Sequence, residues 1–279
     1  MEFSFRRLLL AKRLASNPLR DVQRRLELLR LRYMPPCRRT ITHLLGPPLT
    51  IPDARAFLFT FHEIFHKELY RFHAATERPT IIDGGANIGL SVLYFRRLYP
   101  QSRLIAFEPD PALFVILQDN LRAFGAKDIE FRQQALWVRE EKMPFVSEGI
   151  EASRLTRTQD RPTHSVQAVR LRDYLTTPVD MLKLDIEGAE GAVLIDCGAS
   201  LSNVRNIFVE YHSFAKEKQD LPELIEVLAD AGFRLHIQAV RSAPQPFVRR
   251  DPLLDMDMQL NIFGFREQPA SRDVQRLSA

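Results

Sequence analysis

The most constraining stretch of the chain is Ile81-Ile82-Asp83-Gly84-Gly85-Ala86-Asn87-Ile88-Gly89, an apolar run that ends in a carboxylate and turns through glycines toward a helix. In a doubly wound sheet, such a loop lies at the carboxyl end of a strand where the strand order reverses, and glycine lets the backbone approach a ligand closely. The rest of the chain supports this placement. From residue 80 onward, short β-rich runs alternate with helical segments, the pattern of a mostly parallel sheet covered by helices. The expected strands are 80–83, 103–107, 128–134, 179–185, 204–211, 233–240 and 258–266, with helices near 89–99, 110–124, 188–197 and 219–231. No helical pattern joins the last two strands, so the seven-stranded sheet should close with an antiparallel edge strand. The segment 137–178 reads as an insertion with strands at 143–146 and 165–171 around a polar loop, and is expected to face the acceptor.

Ahead of this domain (53–268) lies an extension, 1–52, and after it a tail, 269–279. Residues 1–39 hold eleven Lys and Arg against Glu2, Asp21 and Glu27, whereas the remainder is net acidic. The spacing predicts helices over 3–15 and 19–33, broken at Asn17-Pro18, with Leu19, Val22, Leu26, Leu29 and Tyr33 on one face of the second. This basic amphipathic hairpin has three readings: packing on the domain, where it can form a lid or pair two copies into a homodimer; peripheral contact with an anionic membrane; or a dock for an anionic partner. Asp53 is placed to cap a docking helix within 53–75, reaching about His73, with Phe57, Phe61, Phe65 and Leu69 turned inward. His62-Glu63-Ile64-Phe65-His66 matches HExxH, but without a continuation supplying a third ligand it is read as part of that helix, not as a zinc peptidase.

Composition narrows the function classes. No apolar run approaches the length of a membrane span, and a signal peptide is not expected. Cys37 and Cys197 stand far apart with no metal-ligand spacing, which points to a reducing cytoplasm. The basic charge is confined to the extension and lacks aromatic platforms or a reading helix, which argues against nucleic acid.

The glycine loop is one residue type short of GxGxxG, so a nicotinamide dinucleotide competes with other nucleotides for it. Asp83 would oppose a pyrophosphate at this position, whereas S-adenosylmethionine has no phosphate and carries an ammonium and a sulfonium that favour a carboxylate. Glu108, ending the next strand in Phe107-Glu108-Pro109-Asp110, is placed to accept from both ribose hydroxyls of either adenine cofactor. In VDMLKLDIEGAE (179–190), Asp185 and Glu187 fall where the fourth strand reaches the reacting end of the cofactor. Glu210 and His212 share one side of the following strand. His212 is the candidate base for an acceptor hydroxyl, and Asp185 and Glu187 its catalytic neighbours. Together with Glu190 and Glu210, these acids are also a set of oxygen donors for a divalent cation such as magnesium, although no metal is assigned.

The stretches IIDGGANIGLSVLYF, LIAFEPDP, LQDNL, VDMLKLDIEGAE and IFVEYH, in this order and over about residues 57–266, resemble the FkbM-type family of S-adenosylmethionine-dependent methyltransferases. The resemblance implies a Rossmann-like class I methyltransferase fold and O-methylation of a hydroxyl on a saccharide, glycan or secondary-metabolite acceptor. It places the cofactor on Asp83, Gly84, Gly85, Ala86, Asn87 and Gly89, with Glu108 and Pro109 at the ribose and Ala135 and Leu136 at the adenine. Residues 1–52 lie outside it. Two further readings stay open: an NAD(P)-dependent oxidoreductase, and a non-catalytic cofactor-binding scaffold recruited to glycan assembly at a membrane.

Overall fold

A computed structural model describes residues 18–146, 154–155, 163–243, 245–248 and 255–266. The expected helix 3–15, the tail 269–279 and most of the loop 147–163 lie outside the described residues. Helix α1 (Pro18–Arg32) leads into a hairpin of β1 (Thr40–Thr42) and β2 (Leu49–Ile51), whose second strand has no counterpart among the sequence expectations. Helix α2 (Ala54–Phe61) follows and continues as one π turn, His62–His66. Then come β3 (Thr80–Gly84), α3 (Leu90–Leu98), β4 (Arg103–Phe107), α4 (Pro111–Ala123) and β5 (Ile129–Arg132). A small sheet of β6 (Ala135–Trp137), β7 (Glu141–Val146), β8 (Arg154–Leu155) and β9 (Thr163–Arg170) precedes the return to the main sheet. That return is built from β10 (Val179–Leu184), α5 (Glu190–Cys197), β11 (Val204–Phe214), α6 (Leu221–Asp230), β12 (Arg234–Ser242) and β13 (Met256–Phe265).

The main sheet has seven strands in the order β12-β13-β11-β10-β3-β4-β5. The pairings β11/β10, β10/β3, β3/β4 and β4/β5 are parallel, while β13 is antiparallel to both its neighbours and slots between β11 and the edge strand β12. Strand order reverses between β3 and β10, so the crevice at their carboxyl ends is the place for a ligand. Apolar alternation explains the two cores. Ile82, Leu182 and Phe107 join one with α5 and α6, and Ile81, Met181 and Ala106 join the other with α2, α3 and α4. Parallel strands covered on both faces need mostly apolar residues, and in β3 and β10 the exceptions Asp83 and Lys183 are buried against each other.

Differences from the expected elements have local causes. The docking helix stops at Lys67, short of His73, because the π turn ends in Glu68, whose φ of 54° is left-handed. Asp53 does cap it, accepting from the backbone N–H of Ala56 at 2.8 Å and also from that of Cys37 at 2.6 Å. Phe57 and Phe61 are buried, whereas Phe65 and Leu69 are partly so. The stretch 128–134 contributes only β5, and the chain then switches at Ala135 to pair with β9 in the second sheet. Strand β11 runs on past 211 because β13 pairs with it as far as Phe214.

One buried side chain joins the N-terminal hairpin to the cofactor-loop region. Asn120 on α4 accepts from Thr50 N at 2.7 Å and donates to Thr50 O at 3.0 Å and Ile88 O at 2.9 Å. Truncation leaves these groups unpaired, and each buried loss costs on the order of 1–3 kcal/mol. Asn120→Ala should therefore destabilise the protein by roughly 2–4 kcal/mol in urea unfolding, and a variant as stable as the parent would show that the hairpin is held by its apolar contacts alone.

Candidate active site at the switch point

The loop after β3 is held from below by a buried lysine. Lys183, on β10, is 2% exposed and donates to Gly85 O at 2.6 Å and Gly84 O at 3.2 Å, with Asp83 at 3.2 Å and Asp185 at 3.5 Å. Burial opposes its charge, but Asp83 and then Asp185 hold it as a cation well above the ordinary lysine range. Gly85 must be glycine, since φ is +78° and a Cβ would sit 1.8 Å from Asp185 O. Its N–H and that of Ala86 donate to Phe107 O at 3.0 and 2.9 Å, which ties the loop to the end of β4.

Asp83 is fully buried, paired with Lys183 and hydrogen-bonded by the hydroxyl of Ser91. It therefore does not face a ligand as the sequence reading had it. The carboxylates that do reach the crevice are Asp185, Glu187 and Glu108. A cavity there is lined by Gly85, Asn87, Phe107, Glu108, Pro109, Leu113, Gln134, Ala135, Leu136, Phe145, Asp185, Ile186 and Glu187. Of the expected cofactor residues, Gly85, Asn87, Glu108, Pro109, Ala135 and Leu136 are brought together in its wall, whereas Asp83, Gly84, Ala86 and Gly89 lie behind it. Gly89 begins α3 at φ +93°. Glu108 accepts from Asn87 N at 2.8 Å and Asp110 N at 2.9 Å; burial pushes its carboxyl up to about 7 while these donors pull the other way. Gln134 adds a buried Oε1 with no partner among the described residues, beside Ala135, a group the sequence reading did not single out.

A second cavity of about 430 Å³ opens on the other side of Asn87, Asp185 and Glu187, which line both. Its floor includes Glu210 and His212, and its walls come from Arg55, Phe59, Thr60 and Glu63 on α2 and the π turn and from Val240, Arg241, Met256, Gln259 and Asn261 on the β12/β13 edge. Among the described residues, the 137–178 insertion gives no wall here; its Phe145 lines the first cavity instead. Asn261 is buried, pairs in register with Glu210, and has an Oδ1 without a partner among the described residues.

His212 lies inside β11, not at its end, and is nearly inaccessible. Its Nδ1 is 3.0 Å from Glu190 Oε1, its Nε2 is 3.6 Å from Glu187 Oε2, and Gln259 approaches Nε2 at 3.4 Å while donating to Glu210. Glu190, the first residue of α5, also accepts from Ile186 N at 2.9 Å and Gly188 N at 3.0 Å. Burial alone would lower the imidazole pKa, but Glu190, with Glu187 and Asp185, outweighs it and raises the pKa well above the ordinary value. Burial pushes the Glu187 carboxyl up to about 8 against the pull of His212, and Glu210, buried beside Asp185, up to about 7. Glu187 reaches this position through a left-handed backbone, φ 55°, rare for a non-glycine residue and frequent where function constrains the chain. Asp185, Glu187 and His212 offer ligand atoms within 4.8 Å of one another, so they could also hold a metal ion. His62 and His66 are exposed with stacked rings, and no acid or further histidine joins them among the described residues.

Comparison with known proteins places this geometry. A family model described as the methyltransferase FkbM domain matches residues 83–235, more than half of the chain. Methyltransferase 1 of Beauveria bassiana is 30% identical over 214 residues, covering 67% of this chain and 84% of that protein. Methyltransferase sdnD of Sordaria araneosa is 28% identical over 227 residues, covering 68% and 86%. A solved FkbM methyltransferase from Methylobacillus flagellatus KT is 18% identical with a TM-score of 0.46, covering 71% of this chain and 46% of that chain, so the present chain spans under half of its length. The M. jannaschii TYW2 structure in complex with AdoMet is 13% identical with a TM-score of 0.45, covering 83% and 87%. By the extent of the family match and the identity to its methyltransferase relatives, the chain belongs to the FkbM methyltransferase family.

Proposed function

We propose that the protein is an S-adenosylmethionine-dependent O-methyltransferase whose acceptor is a hydroxyl on a small saccharide or other secondary-metabolite molecule. The observation that carries this reading is the meeting of two cavities at Asn87, Asp185 and Glu187, with a buried histidine and its carboxylate partner behind the junction. The first cavity, about 60 Å³ in volume, is assigned to the cofactor by the chemistry of its walls. Glu108 would take the ribose hydroxyls, Gln134 Oε1 supplies an acceptor for the adenine amine, and Ala135, Leu136, Leu113 and Phe145 give apolar walls. Asp185 and Glu187 favour a positively charged methionyl end over a pyrophosphate, the role the sequence reading gave to Asp83. When bound, S-adenosylmethionine supplies the methyl group from its sulfonium.

The second cavity would hold the acceptor. Its size suits a small molecule and not a nucleic-acid strand, and the free Oδ1 of Asn261 and the carboxylates of the floor suit a ligand rich in hydroxyls. Acceptor choice then falls to α2 and the β12/β13 edge more than to the 137–178 insertion. Proton removal needs a base beside the reacting oxygen. Glu187 faces both cavities and serves as that base once ionised, while His212, fixed by Glu190, opposes the burial that raises the Glu187 pKa; the two titrate as a pair. His212 thus acts through Glu187 rather than as the lone base. A second reading has Asp185, Glu187 and His212 binding a divalent cation that acidifies the hydroxyl, favoured by the 4.8 Å spread of their ligand atoms.

Calorimetry with S-adenosylmethionine and S-adenosylhomocysteine, beside NAD and NADP, should show binding of the first two only; binding of NAD alone would restore the oxidoreductase reading. Affinity should depend on pH through Glu108. Only the ionised carboxylate accepts fully from both ribose hydroxyls, so affinity is highest above a pKa of about 7 and should fall roughly tenfold by about pH 6. Glu108→Gln should bind weakly at every pH, and a variant with parental affinity and pH profile would remove Glu108 from the site.

His212→Gln should leave cofactor affinity unchanged and lower kcat about a hundredfold, with turnover of the parent rising with pH as Glu187 ionises near 8. Full activity of the variant contradicts the pair. Dialysis against EDTA should spare turnover, and a loss restored by magnesium or manganese would select the cation reading.

A further inference from the structure

Helix α1 packs with its sides reversed relative to an ordinary surface helix, which buries its apolar stripe. The side that meets the domain is largely polar. Leu31 is buried there with Leu28 half-buried, and Glu27 accepts from Thr42 Oγ1 at 2.7 Å and pairs with Arg30, whose guanidinium donates to Ile41 O at 2.8 Å. The opposite side carries Val22, Leu26, Leu29 and Tyr33, which recur at helical spacing and are 52, 60, 49 and 80% exposed. Arg25 and Arg32 run along one border of this stripe, exposed and without an ion pair among the described residues. Four large apolar side chains aligned toward solvent on a firmly anchored helix mark an interaction surface.

Charge selects the occupant. Residues 18–33 contain Arg20, Arg24, Arg25, Arg30 and Arg32 against Asp21 and Glu27, so the face is basic. A second copy laid on it would bring Arg25 and Arg32 of both chains together. The chain's own residues 1–17 hold Arg6, Arg7, Lys12 and Arg13 against Glu2 alone, so they bring no charge complement to Arg25 and Arg32. An apolar stripe bordered by arginines suits a surface with a hydrocarbon interior and anionic headgroups. We propose that α1 docks the protein on an anionic phospholipid membrane, with Val22, Leu26, Leu29 and Tyr33 entering the headgroup layer and Arg25 and Arg32 pairing with lipid phosphates. Helix α1 packs on α2, and α2 supplies Arg55 and Phe59 to the second cavity, so membrane contact is one helix away from the acceptor entrance. The docking reading is independent of the reaction proposed for that cavity.

The test is sedimentation of the full chain with vesicles of phosphatidylcholine alone and of phosphatidylcholine mixed with phosphatidylglycerol, with light scattering for oligomeric state and circular dichroism to confirm that each variant is folded. The expected result is binding to the anionic vesicles only, weakened by added salt. Leu26→Asp with Leu29→Asp should abolish it. Arg25→Gln with Arg32→Gln should lower the partition coefficient about thirtyfold, near fivefold for each arginine. The proposal is overturned if the parent binds neither vesicle, if binding survives the paired leucine substitutions, or if the parent is a dimer that those substitutions dissociate.

Discussion

The site depends on one buried cation. Lys183 sits among the buried apolar residues of β10 and, with the hydroxyl of Ser91, lets Asp83 be fully buried beneath the glycine loop. A lone carboxylate or ammonium at that depth would cost several kcal/mol. The pair is tolerated because the ammonium is also shared among the carbonyls of Gly84 and Gly85 and the carboxylate of Asp185. The clamp joins the carboxyl ends of β3 and β10, the two strands between which the sheet order reverses. It thereby sets the position of the cofactor loop and of Asp185 in one stroke, and it explains why Gly85 has no room for a side chain.

Around this clamp the sheet sorts acidic groups by depth and neighbours. Glu190 is buried where backbone N–H groups and His212 satisfy it. Glu187 and Glu210, less completely paired, are pushed toward neutrality by burial. Carboxyls pushed toward neutrality beside a histidine whose pKa is raised are suited to acid–base chemistry. This arrangement arises because β11 carries His212 toward α5 at the point where the turn 186–189 throws Glu187 into a left-handed conformation.

The architecture was legible where residues repeat a local rule. The apolar runs at 81–82, 104–107 and 181–184 announced parallel strands, the glycine loop announced the switch point, and Asp53 announced a helix start. Glu108 was legible as a strand-end carboxylate and Asn87 as part of the glycine loop, whereas Ala135 and Leu136 rested on the family resemblance; all four line the first cavity. Lys183 also left a signal, a lysine between Leu182 and Leu184 in a strand too apolar to face water. What failed was anything requiring knowledge of who sits opposite. The π turn that exposes His62 and His66 was not legible in HExxH, and the sequence left open whether the stripe on α1 packs on the domain or points outward, as it does.

The sequence by itself determined the order of strands and helices along the chain, the family, and the glycine turn at the switch point, because each is encoded in a few neighbouring residues. Tertiary structure alone decided that Asp83 faces a lysine and not a ligand, that Glu190 is the partner of His212, and that the second cavity is walled by α2 and the β12/β13 edge. Those outcomes join residues from 20 to 200 positions apart, and pairing at that range is set by sheet register and burial, which local periodicity does not carry.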